Sequence, residues 1–163
     1  MNSLFDATAL DGEVALVTGA SRGIGAAIAA ALASAGATVI GTATSDNGAG
    51  AISEALGDSG RGVVLNIADE ESVEAALKDI QANEGTPTIL VNNAGITRDN
   101  LLMRMKQEEW DDVIGTNLSG VYSVSMACLR GMMKAKKGRI INIASVVGVM
   151  GNAGQANYAA TKA

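Results

Sequence analysis

Short apolar runs alternate with longer helix-forming segments along almost the whole chain. Five runs have the length and composition of β-strands, at residues 13–18, 38–42, 62–66, 87–91 and 138–144. Helical patterns lie between them at 23–35, 49–56, 69 to about 83, and 107–134. Apolar strands separated by helices are typical of a parallel sheet covered on both faces. The pattern therefore predicts an α/β fold with a doubly wound parallel sheet.

Composition narrows the class of protein. The chain has 163 residues, of which 48% are hydrophobic and 18% charged, so we expect one soluble globular domain. The net charge of -5 argues against nucleic acid as the main partner. The sequence contains no run of about 20 apolar residues, so no membrane span is predicted. Residues 1–11 do not have the pattern of a signal peptide.

Two residue counts restrict the chemistry. Histidine is absent, which excludes histidine-based triads and histidine-ligated metal sites, and we expect no metal. The single cysteine, Cys128, cannot form an internal disulfide, which fits a reducing cytoplasm. We interpret Cys128 as a small core residue.

A glycine-rich loop follows the first predicted strand and opens the first predicted helix. Its sequence is Thr-Gly-Ala-Ser-Arg-Gly-Ile-Gly, from Thr18 to Gly25. Such glycines let a diphosphate approach the backbone, where the free N–H groups of the helix meet it. A purely structural turn is the alternative interpretation.

The second predicted strand bears on which nicotinamide cofactor the loop would bind. An acidic residue at its end would bind the ribose hydroxyls of NAD. Here the strand ends at Thr44 and Ser45, and the loop carries Arg22, which together favour the 2′-phosphate of NADP(H). Alternatively Arg22 and Thr44 are only solvated, and Asp46 reaches the ribose.

Four polar residues form the candidate catalytic set. Tyr158 and Lys162 are four residues apart, which puts them on one face of a helix, and an ammonium beside a phenol favours the phenolate. Ser145 follows the fifth strand and suits a substrate carbonyl, or else caps a helix. Asn117 interrupts an apolar helix, either as an anchor for a proton-relay water or as a satisfied buried amide.

Two asparagines follow the fourth predicted strand. Asn93 is expected to line the cofactor site, whereas for Asn92 a structural role is as plausible as a functional one.

These motifs together resemble the short-chain dehydrogenase/reductase family, from about Leu10 onwards. The resemblance implies a Rossmann-like sheet, truncated here after the fifth strand, so that residues 1–163 are a single dinucleotide-binding domain incomplete at its C-terminus. It implies catalytic roles for Asn117, Ser145, Tyr158 and Lys162, with Ser145 and Tyr158 contacting substrate. The implied cofactor-binding residues are Gly19, Ala20, Ser21, Arg22, Gly23, Ile24, Gly25, Thr44, Asn66, Ile67, Asn93, Ala94, Gly95, Tyr158 and Lys162.

Within the family, the sequence is most similar to members that reduce 3-oxoacyl groups on acyl carrier protein in bacterial fatty acid synthesis. That similarity implies NADPH as the hydride source, a carrier-bound β-ketoacyl substrate, a homotetramer and a cytoplasmic location. A non-catalytic nucleotide-binding fragment, or a reductase of a small ketone, are the alternatives. The basic cluster at 134–139 is either a solvated helix end or a docking surface for an acidic carrier.

Overall fold

A computed structural model describes residues 6–163; the first five residues, part of the 1–11 segment discussed above, lie outside it. Five strands form one sheet. They are β1 (Val14–Val17), β2 (Thr38–Ala43), β3 (Gly60–Val64), β4 (Ile89–Asn92) and β5 (Arg139–Asn142). The strand order is β3-β2-β1-β4-β5, and every pair is parallel. The predicted Rossmann-like α/β fold is confirmed.

Within residues 6–163, seven α-helices accompany the strands. They are α1 (Gly23–Ser34), α2 (Asp46–Leu56), α3 (Glu70–Asn83), α4 (Gln107–Ile114), α5 (Gly120–Ala135), α6 (Val146–Met150) and α7 (Ala156–Lys162). No helix within residues 6–163 is long and apolar enough to span a membrane.

The alternation of side chains along the strands divides the core into two layers. Leu16 and Leu90 face one layer, which contains side chains of α3 and α5 such as Ile80 and Val124. Val17 and Val91 face the other, which contains Ala29 of α1 and Ile52 of α2. Each central strand is therefore buried on both faces, which explains why the runs are apolar throughout.

The third strand begins and ends two residues earlier than predicted, at Gly60–Val64 instead of 62–66. Its first residues include two glycines. A Cβ on Gly60 would lie 1.8 Å from the carbonyl oxygen of Val39, and one on Gly62 would lie 1.9 Å from that of Ala49. The two glycines thus allow β3 to approach β2 and α2 closely. In the sequence they were indistinguishable from turn glycines.

The predicted single helix at 107–134 consists of two α-helices joined by a π-helical turn at Gly115–Ser119. The N–H of Gly120 donates to the oxygen of Gly115, five residues earlier. Inserted turns of this kind are frequent at functional sites. This turn carries Asn117, one of the predicted catalytic residues.

The amino ends of the strands are joined by a buried acid. Glu13, just before β1, accepts hydrogen bonds from the hydroxyl of Thr88 before β4 and from the ammonium of Lys137 before β5. The bond from Lys137, with that from Thr88, holds the pKa of the Glu13 carboxyl below its ordinary value of 4.5. Glu13 therefore contributes stability while it is ionised.

We expect Glu13→Gln to lower the free energy of unfolding at pH 7 by about 1–3 kcal/mol, since it removes a charge-assisted bond. Because the folded-state pKa is depressed, the wild-type advantage is complete above the ordinary pKa and disappears as the pH falls through the folded value. Urea unfolding from pH 7 to pH 3 measures this. A difference between the two proteins that stays constant down to pH 3 would contradict it.

Candidate active site

A cleft runs across the carboxyl ends of the strands, where open α/β sheets bind ligands. One half, of about 460 Å³, is lined by predicted cofactor residues, namely Gly19, Ser21, Arg22, Gly23, Ile24, Gly25, Thr44, Asn66, Ile67, Asn93, Ala94 and Gly95. The other half, of about 560 Å³, is lined by Ser145, Tyr158 and Lys162. Arg22, Ile24, Asn93, Gly95 and Ile96 line both halves. The two predicted sets of residues thus meet in one continuous cleft.

Close backbone packing requires glycine at two positions of the loop after β1. Gly19 has a φ of +67°, and a Cβ there would lie 2.9 Å from the Cα of Ala94. A Cβ on Gly25 would lie 2.2 Å from the carbonyl oxygen of Gly19 and 2.5 Å from Nδ2 of Asn93. A side chain at Gly25 would therefore displace the loop.

Thr18 and Asn93 join the glycine loop to the end of β4. The Thr18 hydroxyl accepts hydrogen bonds from the backbone N–H groups of Asn93 and Ala94, both at 3.0 Å. The Asn93 amide donates back to the carbonyl oxygens of Thr18 and Gly19, also at 3.0 Å. Asn93 therefore fixes the loop as well as lining the cleft.

Ala20 is the one predicted cofactor residue that does not line the cleft. Its side chain is buried, and its N–H donates to the carbonyl oxygen of Thr42 at 2.8 Å. The Thr42 hydroxyl accepts from the N–H of Gly19. These bonds attach the loop to β2, so Ala20 supports the site from beneath.

The start of α1 suits an anionic group. Its N-cap residue, Arg22, makes no side-chain cap hydrogen bond, and its first turn contains no acidic residue. The N–H groups and the positive end of the helix dipole are therefore open toward the cleft. A dinucleotide diphosphate fits this arrangement.

The end of β2 contributes two threonines to the lining of the cleft. Thr42 and Thr44 line it, whereas Asp46 lies in the first turn of α2, behind the N-cap residue Ser45. None of the described residues that line either half is acidic, and three are cationic, namely Arg22, Arg98 and Lys162. The cleft is suited to a negatively charged ligand.

Ser145 caps a helix, one of the two roles considered for it, and also lies at the cleft, where contact with a substrate carbonyl stays a prediction. It is the N-cap residue of α6, a helix that the sequence pattern did not predict, and its Oγ accepts from the N–H of Val147 at 3.2 Å. Its side chain also lines the cleft beside Tyr158. Because Oγ serves as the acceptor in the cap, its hydroxyl proton can be donated to a ligand.

Tyr158 and Lys162 both lie on α7 and line the same half of the cleft. The Lys162 ammonium donates to the carbonyl oxygen of Ile143, after β5, at 2.8 Å. Partial burial lowers the pKa of Lys162 below its ordinary value. The side chain is thus held near the end of β5 rather than extended into solvent.

Asn117 lies behind the cleft and is buried. Its Oδ1 accepts from the N–H of Ile96 at 2.8 Å, and its Nδ2 donates to the carbonyl oxygen of Ile96 at 2.9 Å and to the Thr161 hydroxyl at 3.3 Å. The side chain matches the satisfied-amide interpretation. With Lys162 it lines a small cavity of about 190 Å³, where a water-anchoring role remains a prediction.

Four supporting residues escaped sequence reasoning, namely Thr18, Thr42, Asn157 and Thr161. Each forms a hydrogen bond with another segment of the chain, and no local sequence pattern marks such a residue.

Asn92 is buried and donates to Ser125 and Asn142, which is a structural role. Cys128 is buried, which raises the pKa of its thiol to about 12. Within residues 6–163 no group of three potential metal ligands occurs.

The comparisons with known proteins agree with this geometry. The family model described as short chain dehydrogenase matches residues 13–163. The chain belongs to the short chain dehydrogenase family. This confirms the resemblance inferred from the motifs, and family membership implies a nicotinamide cofactor.

Three similar proteins share the name 3-oxoacyl-[acyl-carrier-protein] reductase FabG. The chain is 67% identical over 154 residues to 3-oxoacyl-[acyl-carrier-protein] reductase FabG of Vibrio harveyi, which covers 94% of this chain and 63% of that protein. It is 65% identical over 153 residues to FabG of Escherichia coli (strain K12), with the same coverage. For FabG of Pseudomonas aeruginosa the identity is 63% over 157 residues. The chain therefore spans about 63% of the length of these relatives.

We expect Gly25→Ala to weaken binding of a nicotinamide dinucleotide at least about tenfold, because the new methyl group displaces the loop that Asn93 holds. Gly50→Ala is the matched control: Gly50 is an exposed position inside α2 with nothing within 4 Å of its Cβ direction. That change should leave binding unaltered and stabilise the fold by about 0.5–1 kcal/mol. Titration by cofactor fluorescence compares the two; equal affinities would contradict the prediction.

Proposed function

We propose that this chain forms a single dinucleotide-binding domain, residues 1–163, of an enzyme that uses NADPH to reduce 3-oxoacyl groups on acyl carrier protein to 3-hydroxyacyl groups in fatty acid biosynthesis. The observation that carries the proposal is the continuous cleft shared by the glycine loop and by Ser145, Tyr158 and Lys162. The names of the relatives support the substrate class.

The chain's own groups suit the reduction of a ketone. When bound, the reduced nicotinamide supplies the hydride. Tyr158 donates its phenolic proton to the ketone oxygen, and the Ser145 hydroxyl, whose proton is not used in the helix cap, hydrogen-bonds the same oxygen. The alcohol product thus receives its proton from Tyr158.

Lys162 would assist Tyr158 through its charge. An ammonium beside the phenol stabilises the phenolate that proton donation leaves behind. The bond to Ile143 keeps the ammonium at the cleft. There it would also hold the nicotinamide ribose. Since burial lowers the Lys162 pKa, this assistance ends at a lower pH than for an exposed lysine. Asn117 would anchor the water that returns a proton to the site.

The preference for NADPH over NADH would come from Arg22, Ser21 and Thr44. All three line the cofactor half of the cleft, and no described residue lining it is acidic. A guanidinium with nearby hydroxyls binds a phosphate through charge-assisted hydrogen bonds. An acidic residue, the usual partner of an unmodified ribose, is missing from this lining.

The partners follow from the same proposal. An acidic carrier protein would bring the substrate, but the basic cluster at 134–139 is a poor docking surface for it. The cluster lies just before β5 and at its first residue, so it is at the amino ends of the strands, whereas the cleft is at their carboxyl ends. Within the cluster, Lys137 is already paired with Glu13. We favour docking at the mouth of the cleft, where Arg98 lies.

A homotetramer in the cytoplasm completes the proposal. The exposed side of α5 and the turn before it carry an apolar stripe, made of Leu118, Tyr122, Met126, Leu129 and Met133. Their spacing of three or four residues puts them along one helical face. Such a stripe supports association between copies of the chain.

Turnover tests the function directly. The chain, mixed with NADPH and acetoacetyl-carrier substrate, should consume NADPH, and Tyr158→Phe should reduce the rate at least about 1000-fold while the Kd for NADPH changes less than twofold. Near-normal turnover by Tyr158→Phe would remove the proposed role of Tyr158. Binding of NADPH without turnover by the wild type would favour the non-catalytic alternative, and turnover of small ketones alone would favour the other substrate class.

Arg22→Gln tests the cofactor preference. Loss of a charge-assisted bond to the 2′-phosphate should raise the Kd for NADPH about 10- to 100-fold and leave the Kd for NADH within about twofold. Arg61→Gln is the control, because Arg61 pairs with Asp79 and Glu84 away from the cleft. Equal weakening of both cofactors by Arg22→Gln would show that Arg22 does not recognise the 2′-phosphate.

A further inference from the structure

Asn157 is the most completely buried polar side chain near the cleft. It precedes Tyr158 on α7, and its relative exposure is 0%. It lines neither half of the cleft, so it does not contact a ligand there. Burying an amide is costly unless its donors and its acceptor are bonded. Its partners therefore reveal what it does.

Those partners belong to three different segments. The Asn157 amide donates to the carbonyl oxygen of Arg98, after β4, at 3.0 Å, and to that of Glu109, in α4, at 3.1 Å. Its Oδ1 accepts from the backbone N–H of Tyr158 at 2.8 Å. One side chain thus uses both donors and an acceptor to connect the backbone of Tyr158 to two segments outside its own helix.

Among the described residues, no other side chain in the first turn of α7 hydrogen-bonds α4. Two neighbouring contacts join the segment after β4 to the residues just before α7. The N–H of Asn100 donates to the carbonyl oxygen of Gly154, and the Gln155 amide donates to the Asp99 carboxylate. They hold the approach to the helix, whereas Asn157 holds the residue adjacent to Tyr158.

We infer that Asn157 is a positioning residue, which fixes where the Tyr158 hydroxyl lies in the cleft by bonding the Tyr158 backbone to the segment after β4 and to α4. The inference rests on the proposed function, since the effect it names is on proton donation by Tyr158. Removing the amide would take one hydrogen bond from each of two carbonyl oxygens, those of Arg98 and Glu109, and let the start of α7 shift. Displacement of a reacting group by about 1 Å can cost about 100-fold in rate.

The test compares kcat with cofactor binding in Asn157→Ala and in Asn157→Ser, whose hydroxyl can replace one of the bonds. We expect Asn157→Ala to lower kcat about 10- to 100-fold with the KM for NADPH within about twofold, and Asn157→Ser to recover part of the loss. Circular dichroism and NADPH fluorescence establish the folded fraction, and kcat is expressed per folded molecule.

Thr88→Val is the matched control, because it removes a partly buried hydrogen bond to Glu13 at the opposite edge of the sheet. It should lower the melting temperature yet leave kcat within about twofold of wild type. A kcat near wild type in folded Asn157→Ala would overturn the inference, as would failure of both Asn157 variants to fold, which would show a purely structural requirement. Lack of turnover by the wild type would instead count against the proposed function.

Discussion

The rest of the site depends on the hydrogen-bonded junction between Thr18 and Asn93, at the carboxyl ends of β1 and β4. Thr18 accepts two backbone N–H groups from the β4 side, and the Asn93 amide donates two bonds to the β1 side. The reciprocal pairing fixes the glycine loop relative to the chain that leaves β4. Without it, the close approach of Gly19 to Ala94 would have no support, and the start of α1 could not present its N–H groups at a defined position.

The segment after β4 also connects the glycine loop to the half of the cleft that Tyr158 lines. Residues 93–98 contact the glycine loop through Asn93, the π-helical turn through Ile96, which pairs with Asn117, and α7 through Arg98, which pairs with Asn157. One short stretch therefore sets the relative positions of the cofactor half and of Tyr158. Most of its hydrogen bonds join a backbone atom to the side-chain amide of an asparagine, namely Asn93, Asn117 or Asn157. An asparagine is well suited to this because its amide can donate and accept at once.

Sequence reasoning succeeded wherever one strong local signal decided the structure. The strand runs, the loop from Gly19 to Gly25 and the shared helical face of Tyr158 and Lys162 are such signals. It failed where tertiary contact decides. The register of β3 depends on how closely β2 and α2 approach Gly60 and Gly62. The sequence pattern did not predict the short helix α6, although a cap was one of the two interpretations of Ser145. The bonding of Asn157 depends on carbonyl oxygens 48 and 59 residues away in sequence.

Electrostatics explains how a chain with a net charge of -5 can suit an anionic cofactor. At physiological ionic strength the screening length is about 8 Å, so the charges lining the cleft matter more than the total. The described lining contains Arg22, Arg98 and Lys162 and no carboxylate, while acidic residues such as Glu70 and Glu71 lie at the start of α3. The acidic surface and the cationic cleft are therefore compatible, because the cleft is a local positive region to which a phosphorylated ligand is drawn over short distances.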